Sequence, residues 1–417
     1  MLLNKVLNQA LSKLKQSKIE QRQLECALKD FIKIIKPNLS IGKLFIGGSY
    51  AKGTMLKGTK EIDIFVMFDY KKFKNKNSEL SMLLESKLNQ SRFKFERLHG
   101  SRDYFSTTYS GVTFEIIPIL EIGKPEQALN ITDISPLHVK WVLKNINEGR
   151  RSTVLLLKGL LKANMLYGAE SYIQGFSGYV CEILGIYYNN FVNLLNSVAK
   201  WKPCTFIDSE QYYRTKDEAL INLNASKVTP LLIIDPVQKT RNAAAAVNRE
   251  NMLKFITLAK EFLSKPSINY FKKKQLNINE IKMQYPGKPL VWLEATPLPK
   301  KRDVAGAKLL KLYKRIIREC KDYGFKLMFS DWEWDEKSKA RFVFVFGSKL
   351  RKIRIVKGPR ADQKEHAARF KTKHSSWFIK QGKLMAKEMR EYTEPDSFIR
   401  YLIALIGKNY ASDIKLK

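Results

Sequence analysis

The spacing of apolar residues along the chain predicts a succession of helices and strands. Over residues 1–35, leucine and isoleucine recur every three or four positions, which is the period of an amphipathic helix, and a second helix is predicted over 76–92. Short apolar runs bounded by polar turns predict strands, and these lie at 43–48, 61–68, 102–110 and 112–120. The first part of the chain is therefore predicted to be an α/β block with a small sheet.

Beyond residue 135 the pattern becomes helical and later mixed again. The predicted helices are 136–147, 150–166, 176–200, 248–264, 302–323 and a basic segment at 362–390, and the predicted later strands are 289–298, 326–335 and 340–347. We therefore expect an α+β multidomain chain. Its predicted domains are residues 1–135, a helical central domain at 136–268, and an α+β C-terminal region at 269–417.

The charge of the chain adds a candidate partner. Lys and Arg number 75 against 40 Asp and Glu, which gives a formal net charge of +35. A surface this basic attracts polyanions, so nucleic acid is the first candidate partner, with an anionic membrane or a lysine-rich genome as the alternatives. The hydrophobic fraction of 44% is too high for a disordered chain.

Cysteine spacing and hydropathy exclude several classes of protein. The four cysteines lie far apart without metal-ligand spacing, so we expect neither a zinc site nor a disulfide framework, and a reducing cytoplasm fits. The first residues lack the apolar core of a signal peptide. Because a membrane span needs roughly 20 apolar residues in succession, we expect no association through a transmembrane helix.

Two carboxylates lie side by side at the start of a predicted strand. In GGSYAKGTMLKGTKEID, residues 47–63, Glu61 and Asp63 are two positions apart and therefore project from the same face of the strand. Adjacent carboxylates repel each other unless a cation lies between them, and Mg²⁺ in proteins is bound by one or two carboxylates together with phosphate oxygens. An amphipathic strand with an exposed acidic face is the structural alternative.

The neighbouring residues strengthen the interpretation as a phosphate and metal site. Gly48 lets backbone N–H groups approach a phosphate closely, and Ser49 adds a hydroxyl donor. Glu115 is the only charge in VTFEIIPIL, a run typical of a buried central strand, where a carboxylate needs either a basic partner or a metal. With Glu61 and Asp63 it would form a site for two Mg²⁺ ions about 4 Å apart.

Gly-Ser, then Glu-x-Asp, then a third acid on a later strand resembles the polymerase-β-like nucleotidyltransferases. The sequence over 48–68 is most similar to the archaeal (class I) CCA-adding enzymes. Further segments similar to that family follow in the same order at 134–141, 156–170, 175–184 and 235–246. The resemblance covers residues 1–270 well and becomes weaker towards the C-terminus.

The resemblance implies a polymerase-β-like head with a small mixed sheet, a helical domain that completes the nucleotide pocket, and a C-terminal region that binds tRNA. It implies template-independent addition of CCA to the 3′ end of tRNA from CTP and ATP, with release of pyrophosphate. Glu61, Asp63 and Glu115 would be the catalytic acids and would bind the two Mg²⁺ ions. The implied nucleotide-binding residues are Gly48, Ser49, Lys52, His138, Lys158, Tyr167 and Arg241. Of these, Arg241 would contact the pairing edge of the base.

The chain departs from the family pattern at two of these positions. Lys52 stands where the family usually has arginine, and Glu115 stands where it usually has aspartate. Lysine retains the charge but lacks the bidentate fork of arginine, and the longer glutamate reaches further. From the residues alone, structural alternatives stay open for the others: a solvated stripe for Lys158, the core for Tyr167, a structural histidine for His138, and a solvated side chain for Arg241.

The resemblance places tRNA-binding elements in the last basic region, which favours RNA as its partner. Residues 349–390 carry 14 Lys or Arg and three acids, and we expect Arg351 and Arg354 to bind tRNA phosphates. A solvated basic helix is the structural alternative. A poly(A) polymerase or an oligoadenylate synthetase of the same superfamily, and an inactive RNA-binding homologue, are the alternative functions. The sequence leaves open whether the chain forms a homodimer.

Overall fold

The computed structural model describes residues 2–273 and 275–417 and divides the chain into two compact units, Met1–Lys274 and Gln275–Lys417. The helices of the first unit are α1 (Leu2–Leu14), α2 (Lys18–Ile35), α3 (Gly48–Ala51), α4 (Tyr70–Phe73), α5 (Leu80–Leu88), α6 (Ser135–Asn145), α7 (Glu148–Ala163), α8 (Gly178–Tyr188), α9 (Phe191–Val198), α10 (Lys216–Asn222) and α11 (Arg249–Ser264). Its strands are β1 (Lys43–Ile46), β2 (Glu61–Asp69), β3 (Glu96–Leu98), β4 (Tyr104–Tyr109), β5 (Val112–Glu121), β6 (Thr205–Ile207) and β7 (Leu231–Ile233).

The second unit contains four helices and seven strands within its described residues. The helices are α12 (Ile278–Gln284), α13 (Arg302–Tyr323), α14 (Lys364–Lys373) and α15 (Pro395–Ile406). The strands are β8 (Leu290–Pro297), β9 (Leu327–Trp334), β10 (Ala340–Phe346), β11 (Ile353–Arg360), β12 (Trp377–Lys380), β13 (Lys383–Met389) and β14 (Ala411–Leu416). The predicted α+β architecture is thus confirmed. In the described part of the chain, no helix combines the length and the apolarity that crossing a membrane requires.

A five-stranded mixed sheet forms the N-terminal part of the first unit. Its strand order is β1-β2-β5-β4-β3; β2 and β5 run parallel, and the other neighbours are antiparallel. Every second residue of β2 from Ile62 to Phe68 is buried in a core that α2 and α5 share. Because side chains alternate between the faces of a strand, Glu61 and Asp63 project from the face opposite this core.

A second hydrophobic core in the same unit is formed by α7, α8, α9 and α11. Helix α1 contributes Val6 and Ala10 to this core, whereas α2 packs on the five-stranded sheet. The prediction of one helix over residues 1–35 is therefore wrong. Ser17 separates the two helices because it caps α2 in a capping box, in which the N–H of Glu20 donates to the Ser17 hydroxyl and the N–H of Ser17 donates to the Glu20 carboxylate.

Two other predicted helices were too long. The prediction over 176–200 joined α8 and α9, which Asn189 separates with a backbone φ of +68°, and Asn190 then caps α9 by accepting from the N–H of Asn193. Of the helix predicted over 76–92, only α5 is present. A 3-10 helix precedes it, and the chain forms a turn after Leu88. In both places a polar stretch that contains asparagine bounds a helix that the apolar period continued.

A four-stranded antiparallel sheet lies at the centre of the second unit, in the order β14-β8-β10-β9. Helix α13 packs on one face, with Leu309 and Leu312 fully buried, and confirms the helix predicted over 302–323. On this face the ring of Tyr313 stacks on Phe342, with centroids 5.9 Å apart. Ile281 of α12 packs with Val343 in a further hydrophobic cluster of this unit.

The basic segment 362–390 is not one helix, so that prediction is wrong. Helix α14 ends at Lys373, and β12 and β13 form a hairpin that pairs with β11 in the order β11-β13-β12. The turn of the hairpin is Gln381–Gly382, with φ values of +51° and +72°. Two successive positive φ values are typical of a tight hairpin turn, and the Gln-Gly pair between short apolar runs was its signal in the sequence.

Candidate active site

The structure brings the three predicted acids together on β2 and β5. Asp63 lies opposite Glu115 in the parallel register of these strands, and Glu61 projects from the same face two residues earlier. One carboxylate oxygen from each of the three residues lies within 4.8 Å of the other two. Three carboxylates this close repel one another, and oxygen donors of this kind are the ligands of Mg²⁺ and other hard divalent cations. The donor set therefore fits a divalent metal centre.

The electrostatics of Asp63 support the same conclusion. Burial of this carboxyl raises its pKa, Glu61 raises it further, and Lys52 lowers it, so that the pKa reaches about 6. A cation between Glu61 and Asp63 would remove the repulsion and favour the ionised carboxylate. The raised pKa thus reflects burial first and the neighbouring Glu61 second.

The turn at the start of α3 fits closely around Asp63. The N–H of Gly47 donates to the carbonyl of Asp63 at 2.9 Å, and Gly48 adopts a φ of +62°. A Cβ atom at Gly48 would lie 1.5 Å from Oδ2 of Asp63, so no other residue fits here without displacing the carboxylate. Ser49 follows in the same turn, and its carbonyl accepts from the N–H of Thr54 at 3.0 Å. The predicted Gly48 and Ser49 therefore lie beside the predicted acids.

Lys52 and Lys158 meet at a buried carboxylate that sequence reasoning missed. Nζ of Lys52 lies 2.5 Å from Oε2 of Glu182, and Nζ of Lys158 lies 3.1 Å from Oε1. Thr54 donates to Oε1 at 2.6 Å and accepts from Lys158 through its hydroxyl and its carbonyl, at 3.0 and 3.2 Å. Each of the three ammonium hydrogens of Lys158 thus has an acceptor within this buried cluster.

Glu182 is ionised in spite of its burial. Burial of this side chain, which is 1% exposed, would raise its pKa, but the charges of Lys158 and Lys52 and the hydrogen bonds from Lys52 and Thr54 outweigh it and hold the pKa at about 2. The sequence signal for Glu182 was a single carboxylate in the apolar run GYVCEILGIYY. The same signal identified Glu115.

His138 and Arg241 meet at a second carboxylate that sequence reasoning missed, Asp235. Oδ2 of Asp235 lies 3.0 Å from Nε2 of His138 and 2.5 Å from Nη1 of Arg241. Tyr179 donates to the other oxygen at 3.1 Å. Asp235 lies two residues after the end of the buried strand β7, and a lone acid at the end of an apolar run was its signal in the sequence.

Tyr179 lies between the two clusters. Its ring lies 4.1 Å from that of His138, centroid to centroid, and Nζ of Lys52 lies 6.0 Å from the centroid of Tyr179. Tyr167 lies close to Lys158 as well, because a Cβ atom at Gly178 would meet the Tyr167 hydroxyl at 3.0 Å and the Lys158 ammonium at 3.6 Å. The predicted basic and aromatic residues of the nucleotide pocket therefore form one connected group in the first unit.

Three family models match consecutive parts of the chain. Residues 28–138 match the nucleotidyltransferase domain, residues 152–272 match the second domain of tRNA nucleotidyltransferase, and residues 301–417 match the C-terminal domain of CCA-adding enzyme. The CCA-adding enzyme of Nanoarchaeum equitans is 37% identical over 356 residues, which cover 85% of this chain and 86% of that protein. This chain belongs to the archaeal CCA-adding enzyme family.

A second member of the family and a solved structure agree with this assignment. The CCA-adding enzyme of Methanocaldococcus jannaschii is 28% identical over 401 residues, covering 94% of this chain and 88% of that protein. A cytoplasmic RNA terminal U-transferase superposes with a TM-score of 0.50 at 16% identity, over 66% of this chain and 99% of that one. At this identity the likeness concerns the fold, and it confirms the predicted polymerase-β-like head. Nucleotidyltransferases of this superfamily generally use divalent metals. The carboxylate triad of this chain fits such a metal.

The two arginines predicted to bind RNA lie in the second unit. Arg351 is exposed just before β11. Arg354, on β11, donates to Oε2 of Glu388 through Nε at 2.9 Å and Nη2 at 2.6 Å. His374 lies 2.6 Å from the other oxygen of Glu388. Arg354 therefore already has an acidic partner, which sequence reasoning did not identify.

Proposed function

We propose that this chain adds CCA to the 3′ end of tRNA from CTP and ATP, without a nucleic-acid template. The observation that carries the proposal is the triad of Glu61, Asp63 and Glu115, with ligand oxygens within 4.8 Å of one another, in a chain of the CCA-adding enzyme family. The intact triad favours an enzyme over an RNA-binding homologue without activity.

In the proposed reaction, the oxygen of the tRNA 3′-hydroxyl attacks the α-phosphorus of the nucleotide. The bond from that phosphorus to the bridging oxygen breaks, and pyrophosphate leaves. Glu61, Asp63 and Glu115 would hold two Mg²⁺ ions, which when bound neutralise the triphosphate and favour ionisation of the attacking hydroxyl. Gly48 lets the backbone approach the phosphates, and Ser49 donates its hydroxyl to them.

The remaining pocket residues divide between phosphate and base. Lys52, which donates to Glu182 beside the triad, is the lysine that we propose contacts the triphosphate, and His138 completes the nucleotide pocket. Lys158 can contact the triphosphate only if the triphosphate replaces one of the three acceptors of its ammonium group. Tyr167 packs next to Lys158. Arg241 contacts the pairing edge of cytosine or adenine.

We propose that the domains divide this work as the sequence indicated. Residues 1–135 form the catalytic head, 136–268 complete the nucleotide pocket, and 269–417 hold tRNA through basic side chains that include Arg351 and Arg354. Phosphate contacts give affinity without reading the sequence, which suits an enzyme that must accept every tRNA. Because tRNA is the proposed substrate, we propose that the protein acts in the cytoplasm.

The test is incorporation into tRNA that lacks CCA. The purified chain is incubated with Mg²⁺ and with each nucleotide alone and together, and the 3′ ends are sequenced. We expect CTP alone to give added cytidines, and CTP with ATP to give ends that stop at CCA. The matched control is the Asp63→Ala variant, which should still bind tRNA but add nothing.

Two outcomes would contradict the proposal. Adenosine tails of variable length on any RNA would indicate a poly(A) polymerase. Absence of incorporation with all four nucleotides, in a folded protein that binds tRNA, would indicate an inactive RNA-binding homologue.

A further inference from the structure

Asp235 is a buried carboxylate with every acceptor position in use. Its Oδ1 accepts from the Tyr179 hydroxyl at 3.1 Å and from the N–H of Val237 at 2.9 Å. Its Oδ2 accepts from His138 at 3.0 Å and from Arg241 at 2.5 Å. Two carboxylate oxygens offer about four lone-pair sites, so Asp235 acts on a substrate only through the groups that it holds.

The backbone ties Arg241 to Asp235 a second time. The N–H of Asp235 donates to the carbonyl of Arg241 at 3.0 Å, and the N–H of Arg241 donates to the carbonyl of Gln238 at 2.9 Å. These bonds close the segment 235–241 into a compact loop. The loop and the side-chain ion pair together fix both ends of the Arg241 side chain.

The charge state of Asp235 determines which hydrogens its partners present. Burial alone would raise its pKa, but hydrogen bonding and charge from His138, together with the charge of Arg241, hold it at about 2. An ionised carboxylate only accepts hydrogen bonds, so Nε2 of His138 carries a hydrogen and Nδ1 is the nitrogen left for a substrate. Nη1 of Arg241 donates one hydrogen to the same carboxylate, which leaves its second hydrogen and those of Nε and Nη2 available to a base.

We infer that Asp235 is a positioning residue that makes nucleotide choice possible, because it holds the guanidinium of Arg241 in one orientation. The inference rests on the proposed function. A free arginine side chain has many rotamers and could turn a donor towards any base. A fixed donor pair suits the acceptors of cytosine, O2 and N3, and N1 of adenine, but it meets an N–H on the pairing edge of uracil or guanine. The side chain of Arg241 is 32% exposed, so a substrate can reach it.

The experiment measures selectivity in the full-length Asp235→Asn variant. Single-nucleotide kcat/KM is determined for CTP and UTP on tRNA lacking CCA, and for ATP and GTP on tRNA ending in CC. We expect both selectivity ratios to fall by about five- to 150-fold, the effect of one unpaired buried donor. Asparagine is uncharged, offers one acceptor oxygen and places an N–H₂ group where the second oxygen was, so the ion pair that holds the guanidinium is lost. A common loss of rate for all four nucleotides, with unchanged ratios, would overturn the inference.

Two comparisons separate a positioning role from a structural one. Asp133 is also buried and pairs with Arg102 at 2.5 Å, so Asp133→Asn should lower stability without changing either selectivity ratio. In an Arg241→Ala background, Asp235→Asn should cause no further fall in selectivity, because Asp235 acts through Arg241. A further fall of the same size in that background would also overturn the inference.

A gentler variant covers the case in which Asp235→Asn does not fold. Tyr179→Phe removes one donor to Asp235 and retains the ring, and it should lower both ratios in the same direction by a smaller factor. Unchanged ratios in Tyr179→Phe and in Arg241→Lys would then count against the inference. Failure of the proposed function would look different, since the wild-type chain would not prefer CTP and ATP at all.

Discussion

Nζ of Lys52 lies 2.5 Å from Oε2 of Glu182 in the interior of the first unit, although 130 residues separate them in the sequence. The pair joins the loop after α3, next to the carboxylate triad, to helix α8 of the helical core. Lys158 on α7 adds a second ammonium to the same carboxylate. Glu182 therefore holds the five-stranded sheet and the helical part together and places Lys52 near Asp63.

Replacing Glu182 with glutamine should destabilise the protein strongly. Removal of one partner from a buried ion pair leaves an uncompensated charge, and such changes cost about 3–5 kcal/mol. The free energy of unfolding, measured by denaturant titration, should fall by about this amount. Glu25→Gln is the matched control, because Glu25 forms an exposed pair with Lys29, and it should leave the free energy of unfolding essentially unchanged.

The contribution of Glu182 should also depend on pH in a definite direction. Its pKa is lowered from an ordinary 4.5 to about 2 in the folded state. A lowered folded pKa gives stability that is present above the unfolded pKa and is lost as the pH falls through the folded pKa. Between about pH 4.5 and pH 2 the wild type should therefore lose more stability than Glu182→Gln does. Parallel pH profiles would show that Glu182 is not the charged centre of this cluster.

Replacing Asp63 with asparagine should stabilise the metal-free protein while abolishing nucleotide addition. The pKa of Asp63 is raised from 3.8 to about 6, first by burial and then by Glu61, so its ionised form costs stability at neutral pH. One pKa unit corresponds to about 1.4 kcal/mol, so the gain should be roughly 1–3 kcal/mol, less where solvent screens the charge.

The measurement for Asp63→Asn is thermal unfolding at pH 7.5 with and without Mg²⁺. Without Mg²⁺ the variant should melt at a higher temperature than the wild type. Added Mg²⁺ should raise the melting temperature of the wild type, because a ligand of the folded state stabilises it, and should have a smaller effect on the variant. Equal Mg²⁺ shifts for both proteins would place the metal elsewhere.

The apolar pattern predicted β2 and β5 as strands for two different reasons. In β2, Ile62 and Ile64 are fully buried in one core, so the alternation of apolar and polar residues also fixed the direction of Glu61 and Asp63. In β5, the run is apolar on both faces because it packs in two hydrophobic clusters, with Phe114 in one and Ile119 in the other. Helix ends were predicted less well. Helix ends depend on local hydrogen bonds, such as the capping box of Ser17 and Glu20. The spacing of apolar residues contains no information about these hydrogen bonds.

The carboxylates that hold the pocket together could not be predicted from spacing. Asp235 and Glu182 each bind residues that lie far away in the sequence: His138 is 97 positions from Asp235, and Lys52 is 130 from Glu182. The tertiary packing of the first unit brings these groups together, and local spacing does not. A lone acid in an apolar run indicates that a partner exists, but it does not identify that partner.

Replacing Gly48 with alanine should damage the active site more than the fold. The backbone at Gly48 has a φ of +62°, and a Cβ atom there would lie 1.5 Å from Oδ2 of Asp63. Gly58→Ala is a matched control, because Gly58 has a φ of +78° and nothing within 4 Å of the added atom. Both variants should lose about 1–2 kcal/mol from the left-handed backbone conformation. Only Gly48→Ala should also lose nucleotide addition, and equal activities in the two variants would contradict the close fit of the turn around Asp63.

The last prediction concerns the salt dependence of tRNA binding, which tests whether phosphates contact the sheet β11-β13-β12. Lys387 lies opposite Ile355 in the register of this sheet, and Lys357 is two residues further along β11, so both lysines project from one face and are exposed. Arg354 lies on the other face and is already bound by Glu388. A protein loses roughly 0.9 from the slope of log affinity against log salt for each phosphate contact removed, by the value for B-DNA.

We expect the double change Lys357→Ala and Lys387→Ala to reduce the magnitude of this slope by about 1.8, the value for two phosphate contacts. Arg354→Ala should reduce it by less than about 0.9, the value for one contact. Glu388→Gln should have the opposite effect, because it releases Arg354 from its acidic partner and makes its charge available to RNA. Arg351→Ala together with Arg354→Ala should weaken tRNA binding and leave CTP binding unchanged. Affinity is measured by filter binding over a series of salt concentrations. If none of these changes alters the slope, the sheet is a solvated surface, and the tRNA phosphates are bound by other basic residues of this chain.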